Sequence, residues 1–181
     1  MTISGAGQRL SRLDIAKAQA EPLLGPRTAR RLAAFENGTL YVEAGGGARF
    51  LAWLVDFVVF VLAVGVGFVV VSGVYVAAGL SDGVLVLLLA ALLFGVPLLY
   101  GLCYGNGRAL GAVLTGTQLV RIRDGGRVGA RACWAMLVRT MFMPALLVAV
   151  TVGAAGSPPG SLARTSIDRS ATRRLHAAGI R

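Results

Sequence analysis

The sequence predicts an all-α integral membrane protein with about three transmembrane helices, and three observations lead to this class. Of the 181 residues, 56% are hydrophobic and only 14% are charged, whereas a soluble domain carries about a quarter charged residues. The apolar residues are concentrated in three long blocks. The 18 basic residues outnumber the 8 acidic ones and lie almost entirely outside those blocks.

Each block has the length of about 20 residues that a hydrocarbon core about 30 Å thick requires. The first predicted span covers about residues 51–78 and contains one charged residue, Asp56. The second covers about residues 84–104 and contains no charge. The third covers about residues 132–153 and contains Arg139. Uncharged runs of this length favour bilayer spans over the buried helices of a soluble protein.

The three spans define a predicted transmembrane domain at residues 49–153, with a loop at 105–131 that contains a short strand and a glycine turn. Residues 1–48 are predicted to form a basic arm that is partly helical or disordered. The Asn37-Gly38 dipeptide in this arm is typical of a tight hairpin. Residues 154–181 are predicted to form a basic tail.

The positions of the basic residues predict the orientation. They lie within residues 1–49, 105–139 and 164–181, and the turn between the first two spans, "GLSDG" at 79–83, has none. The positive-inside rule therefore places the N-terminus and the 105–131 loop in the cytoplasm of a multi-pass protein of the plasma membrane. A complete third span would place 164–181 outside, against the same rule, and the alternative is that the third block enters and returns. The preferred prediction is the complete third span.

The basic residues flank membrane spans, so their predicted partners are anionic lipid headgroups rather than nucleic acid.

The two charged residues within the predicted spans are predicted to pair with each other. Asp56 lies about one helical turn beyond Trp53, and Arg139 lies a little over one turn beyond Trp134. If both helices enter from the cytoplasm, the two charges sit at nearly the same depth, and charges in hydrocarbon pair or face a wet cavity. The pair is either a clasp that fixes helix packing or a proton or cation site.

The first span and the following loop carry a motif: an arginine at the helix entrance, an aspartate seven residues later, spaced glycines and an Asp-Gly turn. This pattern resembles the RDD family of membrane proteins, named for one arginine and two aspartates. The matching residues are Arg49, Asp56, Gly107, Gly111, Gly116, Asp124, Gly125 and Arg139. The chain departs from the family pattern at Ala112, where a lysine is common, and at Ala177, where the tail has an aspartate. The resemblance implies a multi-pass membrane protein, and transport has been proposed for some members.

No catalytic, phosphate-binding or metal-binding motif is present in the sequence, and His176 is predicted to be a solvated tail residue. The chain is therefore predicted to be non-enzymatic, without cofactor or metal. The preferred function is an accessory or assembly subunit of a larger membrane complex. The alternative is a small oligomeric transporter of cations, protons or a small solute with Asp56 as the titrating group. Both require copies of the chain or other membrane subunits. Small-residue pairs suited to close helix packing are Ala63/Gly67, Gly73/Ala77 and Ala91/Gly95.

Overall fold

The computed structural model describes residues 12–142, 144 and 164–180. It begins with two helices and a hairpin: α1 (Arg12–Leu24), α2 (Pro26–Ala29), β1 (Leu32–Ala34) and β2 (Leu40–Val42). Pro26 opens α2, where a missing N–H costs nothing. The predicted Asn-Gly hairpin joins β1 to β2, because Gly38 takes the positive φ of 82° that the turn needs.

Two long apolar helices follow: α3 (Gly46–Ala78) has 33 residues and α4 (Asp82–Cys103) has 22. By length and composition both can cross a membrane, and few of their residues are buried. At 1.5 Å per residue α3 is about 50 Å long. Gly79, at a φ of 59°, ends α3 and starts the turn into α4. The predicted spans at 51–78 and 84–104 thus correspond to α3 and α4.

The 105–131 loop folds back against these helices. It contains α5 (Leu110–Leu114) and β3 (Thr117–Arg121), and it leads into α6 (Arg131–Leu137) and a π-helical turn (Val138–Phe142). A Cβ on Gly111 would overlap the Ala52 carbonyl, so α5 lies directly on α3. A Cβ on Gly101 would likewise overlap the backbone of Cys133, so α6 packs closely against α4.

The last elements are β4 (Arg164–Asp168) and α7 (Arg169–Ala177). Strand β4 pairs antiparallel with β3, with Thr117 opposite Asp168. The Ala44 amide donates to the Ser166 carbonyl at 2.8 Å, which links β4 to the segment after β2. Asp168 caps α7 by accepting the Ala171 amide at 3.0 Å.

Residues 12–44 and 164–180 together form a small unit that we call the terminal domain. Its apolar core is closed by Leu175 of α7 and Val42 of β2, both 0% exposed. The Val42 amide also donates to the Thr172 hydroxyl at 3.1 Å. The core residues are Ala16, Ala20, Ala29, Leu32, Leu40, Val42, Ala171 and Leu175. A second cluster joins this domain to β3 and consists of Phe35, Tyr41, Val120 and Ile167.

Within their described parts, the predicted arm at 1–48 and the predicted basic tail at 154–181 pack against each other in this terminal domain. The packing of α7 on α1 and β2 buries the apolar residues of both segments. The structure is mostly helical, and its strands are short. The sequence predicted the hairpin that forms β1 and β2 and the strand in the loop, β3, but not β4.

The predicted third span at 132–153 is described only to residue 142 and at residue 144, and its remainder lies outside the described residues. Its two flanks lie at one end of the α3–α4 pair. The Gly129 amide donates to the Gly105 carbonyl at 2.8 Å, just past α4, and β4 pairs with β3 in the same region. Residues 105–131 and 164–180 are therefore neighbours at this end, and the prediction of a complete third span stays a prediction.

Candidate functional site

Asp56 is the centre of the most connected polar cluster in the described residues. Its side chain is 0% exposed, although it stands in the apolar helix α3. The Oδ1 atom accepts the Tyr100 hydroxyl of α4 and the Gly111 amide of α5, each at 2.9 Å. Hydrogen bonds to a charged group contribute about 1.5–3 kcal/mol each. The carboxylate thus ties three helices together.

Arg139, in the π-helical turn, supplies the positive charge. Its Nη1 atom lies 3.3 Å from Asp56 Oδ2, and its side chain is only 26% exposed. Oδ2 accepts no well-aligned hydrogen bond from any described residue, so the contact is an ion pair of moderate geometry. The structure brings together the two charges that the sequence places at equal depth.

The backbone of Arg139 is held as well as its side chain. Trp53 Nε1 donates to the Arg139 carbonyl at 3.0 Å. The Thr140 hydroxyl donates to the Met136 carbonyl at 2.9 Å inside the same wide turn. π-Helical turns commonly mark functional or strained positions. Trp53 is buried, and a buried indole N–H needs an acceptor.

The cluster also caps the short helix α5. The Tyr100 hydroxyl donates to Asp56 and accepts the Leu110 amide at 3.1 Å, while Asp56 accepts the next amide, that of Gly111. The first amides of a helix have no partner within it. Sequence reasoning missed Tyr100. A tyrosine inside an apolar helix is a signal, because its hydroxyl needs a partner when it is buried.

The other two charged residues of the Arg/Asp/Asp pattern make local contacts. Arg49 donates to the Ala44 carbonyl at 2.6 Å and pairs with Glu43 at 3.1 Å, which fixes the entry into α3. Asp124 pairs with Arg121 at 3.0 Å and accepts the Gly126 amide at 2.9 Å, which closes the turn after β3. Arg49 and Asp124 therefore shape the backbone on either side of the Asp56 cluster.

The four loop glycines of the motif have backbone roles. Gly107, Gly116 and Gly125 have φ values of 76°, 67° and 67°, a region that side chains disfavour. A Cβ on Gly107 would overlap the Leu119 carbonyl, and one on Gly125 would press on the Phe35 ring. With Gly111 against Ala52, the spacing of the motif follows from how the loop folds onto α3 and the terminal domain.

One further residue and the arrangement of potential metal ligands bear on chemistry. His176, predicted to be solvated, is half-buried, and its Nε2 lies 2.7 Å from the Leu40 carbonyl, so it belongs to the packing of α7 on β2. Within residues 12–142, 144 and 164–180, no group of three or more His, Cys, Asp or Glu side chains is arranged to hold a metal ion.

Comparison of the chain with known protein families, characterised proteins and solved structures gives no match. The resemblance to the RDD family therefore rests on the motif residues alone and stays a prediction.

Proposed function

We propose that the chain is a non-enzymatic protein of the plasma membrane in which α3 and α4 cross the bilayer, and that the 105–131 loop and residues 164–180 lie on the same side of it. The observation that supports this is the outward face of the helix pair. Val69 and Val76 of α3 are 69% and 78% exposed, and Val86 and Leu87 of α4 are 65% and 68% exposed. Monomeric soluble proteins rarely expose large contiguous apolar patches.

Cysteine labelling tests this topology. In a background with Cys103 and Cys133 replaced by Ala, single cysteines are introduced as Ser81→Cys, Arg127→Cys and Ala178→Cys, all at exposed positions. An impermeant maleimide applied to intact cells should label only Ser81→Cys, and the other two should react after permeabilisation. Labelling of Ala178→Cys from outside would contradict the placement of residues 164–180 on the same side as the 105–131 loop. Labelling of Arg127→Cys but not Ser81→Cys would reverse the orientation.

Within the membrane, we propose an accessory or assembly role, with the Asp56–Arg139 pair as a clasp. The support is that the Asp56 carboxylate is sealed and engaged on both oxygens by groups of this chain. The clasp holds α5 and the π-helical turn against α3 and leaves the outer faces of α3 and α4 free for a neighbouring membrane subunit.

Small residues on those faces are suited to close packing. A Cβ on Gly73 or Gly95 would meet nothing within 4 Å, so their faces are open. Gly67 differs, because a Cβ there would overlap the Leu92 side chain of α4. The Ala63/Gly67 pair therefore serves packing inside the chain, and Gly73/Ala77 and Ala91/Gly95 are the pairs available to a partner.

Native mass measurement in mild detergent tests the assembly role. Gly73→Leu and Gly95→Leu should leave the fold of the chain intact and release it from its complex. Gly65→Leu is the matched control, because its Cβ is also unobstructed and it belongs to none of the small-residue pairs. A chain that is monomeric before any substitution, or equal loss of assembly in Gly65→Leu, would contradict the proposal.

One observation favours transport as the second candidate. Asp56 Oδ2 is buried and accepts no hydrogen bond from the described residues, which is a position where a proton or cation can bind. Reconstitution in vesicles with a pH-sensitive dye tests it. Proton flux that is abolished by Asp56→Asn, in protein that stays folded, would favour transport. Absence of flux in the unaltered protein would favour the clasp as the role of the Asp56–Arg139 pair.

A further inference from the structure

The short helix α5 lies at the depth where α3 becomes apolar. The Gly111 amide bonds to Asp56, and Gly111 itself touches Ala52, within two helical turns of Phe50. Its other side points outward, with Leu110 40% exposed and Leu114 72% exposed. With α3 across the bilayer, as proposed above, α5 lies along the boundary between acyl chains and headgroups.

Two arginines lie near the ends of α5, and a third lies one helical turn further along α7. Arg108 lies two residues before α5. The Arg169 amide donates to the Gly116 carbonyl at 3.2 Å, two residues after α5 ends. Arg173 lies one helical turn after Arg169 and shares its face of α7. Partial desolvation lowers the pKa of Arg169, and the positive charges of Arg108 and Arg173 lower it further.

Among the residues that the structure describes, no acidic side chain forms an ion pair with this arginine cluster (Arg108, Arg169 and Arg173). Across residues 12–142, 144 and 164–180, the ion pairs involve other arginines: Arg31, Arg49, Arg121 and Arg139. The Arg108 Nε is buried and has no hydrogen-bond partner among the same residues. Like charges held together with an unsatisfied donor are unfavourable unless an anion completes the site.

We propose that the arginine cluster binds the phosphate of an anionic phospholipid whose acyl chains lie against Leu110, Val113 and Leu114 of α5. Guanidinium groups bind phosphate through paired N–H donors. The exposed apolar residues of α5 supply the contact that a free phosphate ion cannot use. The site joins the 105–131 loop to α7, so a bound lipid would hold the terminal domain against the membrane. This inference rests on the proposed membrane location.

Lipid titration of the full chain in detergent, followed by thermal shift, tests the site. The ligands are dioctanoyl phosphatidylglycerol, dioctanoyl phosphatidylcholine and inorganic phosphate. Phosphatidylglycerol should bind the unaltered chain selectively. The triple variant Arg108→Gln/Arg169→Gln/Arg173→Gln should lose affinity by on the order of 100-fold, from the contribution of each basic residue near an anionic surface. The single variant Arg173→Gln, at an exposed position, should bind phosphatidylglycerol about fivefold more weakly. It replaces the triple variant in this test if the triple variant fails to fold.

The matched control Arg123→Gln/Arg127→Gln/Arg174→Gln removes the same charge from exposed positions and should keep the affinity. Equal losses in the control, or equal binding of phosphatidylcholine, would overturn the site. Inorganic phosphate binding as tightly as phosphatidylglycerol would overturn the lipid assignment in favour of free phosphate. Carbonate washing of membranes tests the membrane location separately, so failure of that proposal is distinguishable from failure of the lipid site.

Discussion

The terminal domain and the α3–α4 pair use the same apolar residue types in opposite ways. In the terminal domain, Val42 and Leu175 are 0% exposed. In the helix pair, Val69 and Val76 are 69% and 78% exposed. Water drives apolar side chains together, whereas lipid tails are as apolar as leucine and exert no such force. The difference supports the proposal that the helix pair lies in lipid while the terminal domain lies in water.

The helix pair also differs from the terminal domain in that it buries a charged side chain. The residues that α3 buries include Asp56, alongside Ala52 and Trp53. A charge in an apolar medium must be surrounded by partners, so the carboxylate takes the interior position that leucine takes in the terminal domain. The Asp56 cluster is therefore the polar core of this half of the molecule, and substitutions can separate the two kinds of core.

The largest effect is expected at this polar core. Asp56→Ala and Arg139→Leu should each lower the free energy of unfolding by about 3–5 kcal/mol, because each leaves the other charge buried and unpaired. The double variant should recover much of this loss. The yield and stability of detergent-extracted protein measure it. A double variant that loses the sum of the two single losses would show that the pair does not interact.

The apolar core should be nearly as sensitive. Leu175→Ala removes a fully buried side chain between α1 and β2, and such truncations cost about 2–5 kcal/mol. Leu23→Ala is the control, since Leu23 of α1 is 50% exposed and should change stability by about 0.5 kcal/mol or less. Hydrogen exchange of the β1–β2 hairpin would report the loss. Equal effects of the two substitutions would argue against the terminal domain as described.

A third substitution tests the surroundings of the helix pair directly. Val69→Asp should reduce membrane insertion by about 3 kcal/mol, since an aspartate at mid-span is placed in hydrocarbon. Leu23→Asp, at a comparably exposed site of the terminal domain, should change little, because its side chain meets water. A glycosylation-based insertion assay measures the first, and thermal unfolding measures the second. Equal tolerance of both aspartates would remove the contrast between the two regions.

The smallest effect is expected at the second aspartate of the motif. Asp124 is paired with Arg121 at the surface, with side chains 43% and 50% exposed. Asp124→Asn should change the free energy of unfolding by about 1 kcal/mol or less, as exposed ion pairs do, and it keeps an acceptor for the Gly126 amide. Thermal unfolding of the Asp124→Asn variant, compared with that of the Asp56→Asn variant, measures this change. A loss at Asp124 equal to that at Asp56 would mean that the turn has a role beyond its local geometry.

Local patterns in the sequence were sufficient to predict the two apolar helices, the Asn-Gly hairpin and the strand in the loop. The shared depth of Asp56 and Arg139 could also be predicted, because each lies about one turn beyond a tryptophan. The pairing of β3 with β4 could not be predicted, since the two strands lie far apart in the chain. Tyr100 and Gly111 were missed as partners of Asp56 for a similar reason. Their contacts depend on how α5 folds back on α3, which no periodicity records.

The terminal domain has a consequence for synthesis. Residues 12–44 leave the ribosome before residues 164–180, so their core lacks Leu175 until α7 has been made. Until then Val42 and Leu40 lack the part of their cover that α7 supplies, and such exposed apolar surface is what chaperones and proteases recognise in incomplete chains. As the proposed membrane helices, α3 and α4 are expected to insert during this interval. Closure of α7 over the hairpin would then require residues 164–180 to lie on the same side of the membrane as residues 12–44, and a chain with the two segments on opposite sides would keep this apolar surface open to degradation.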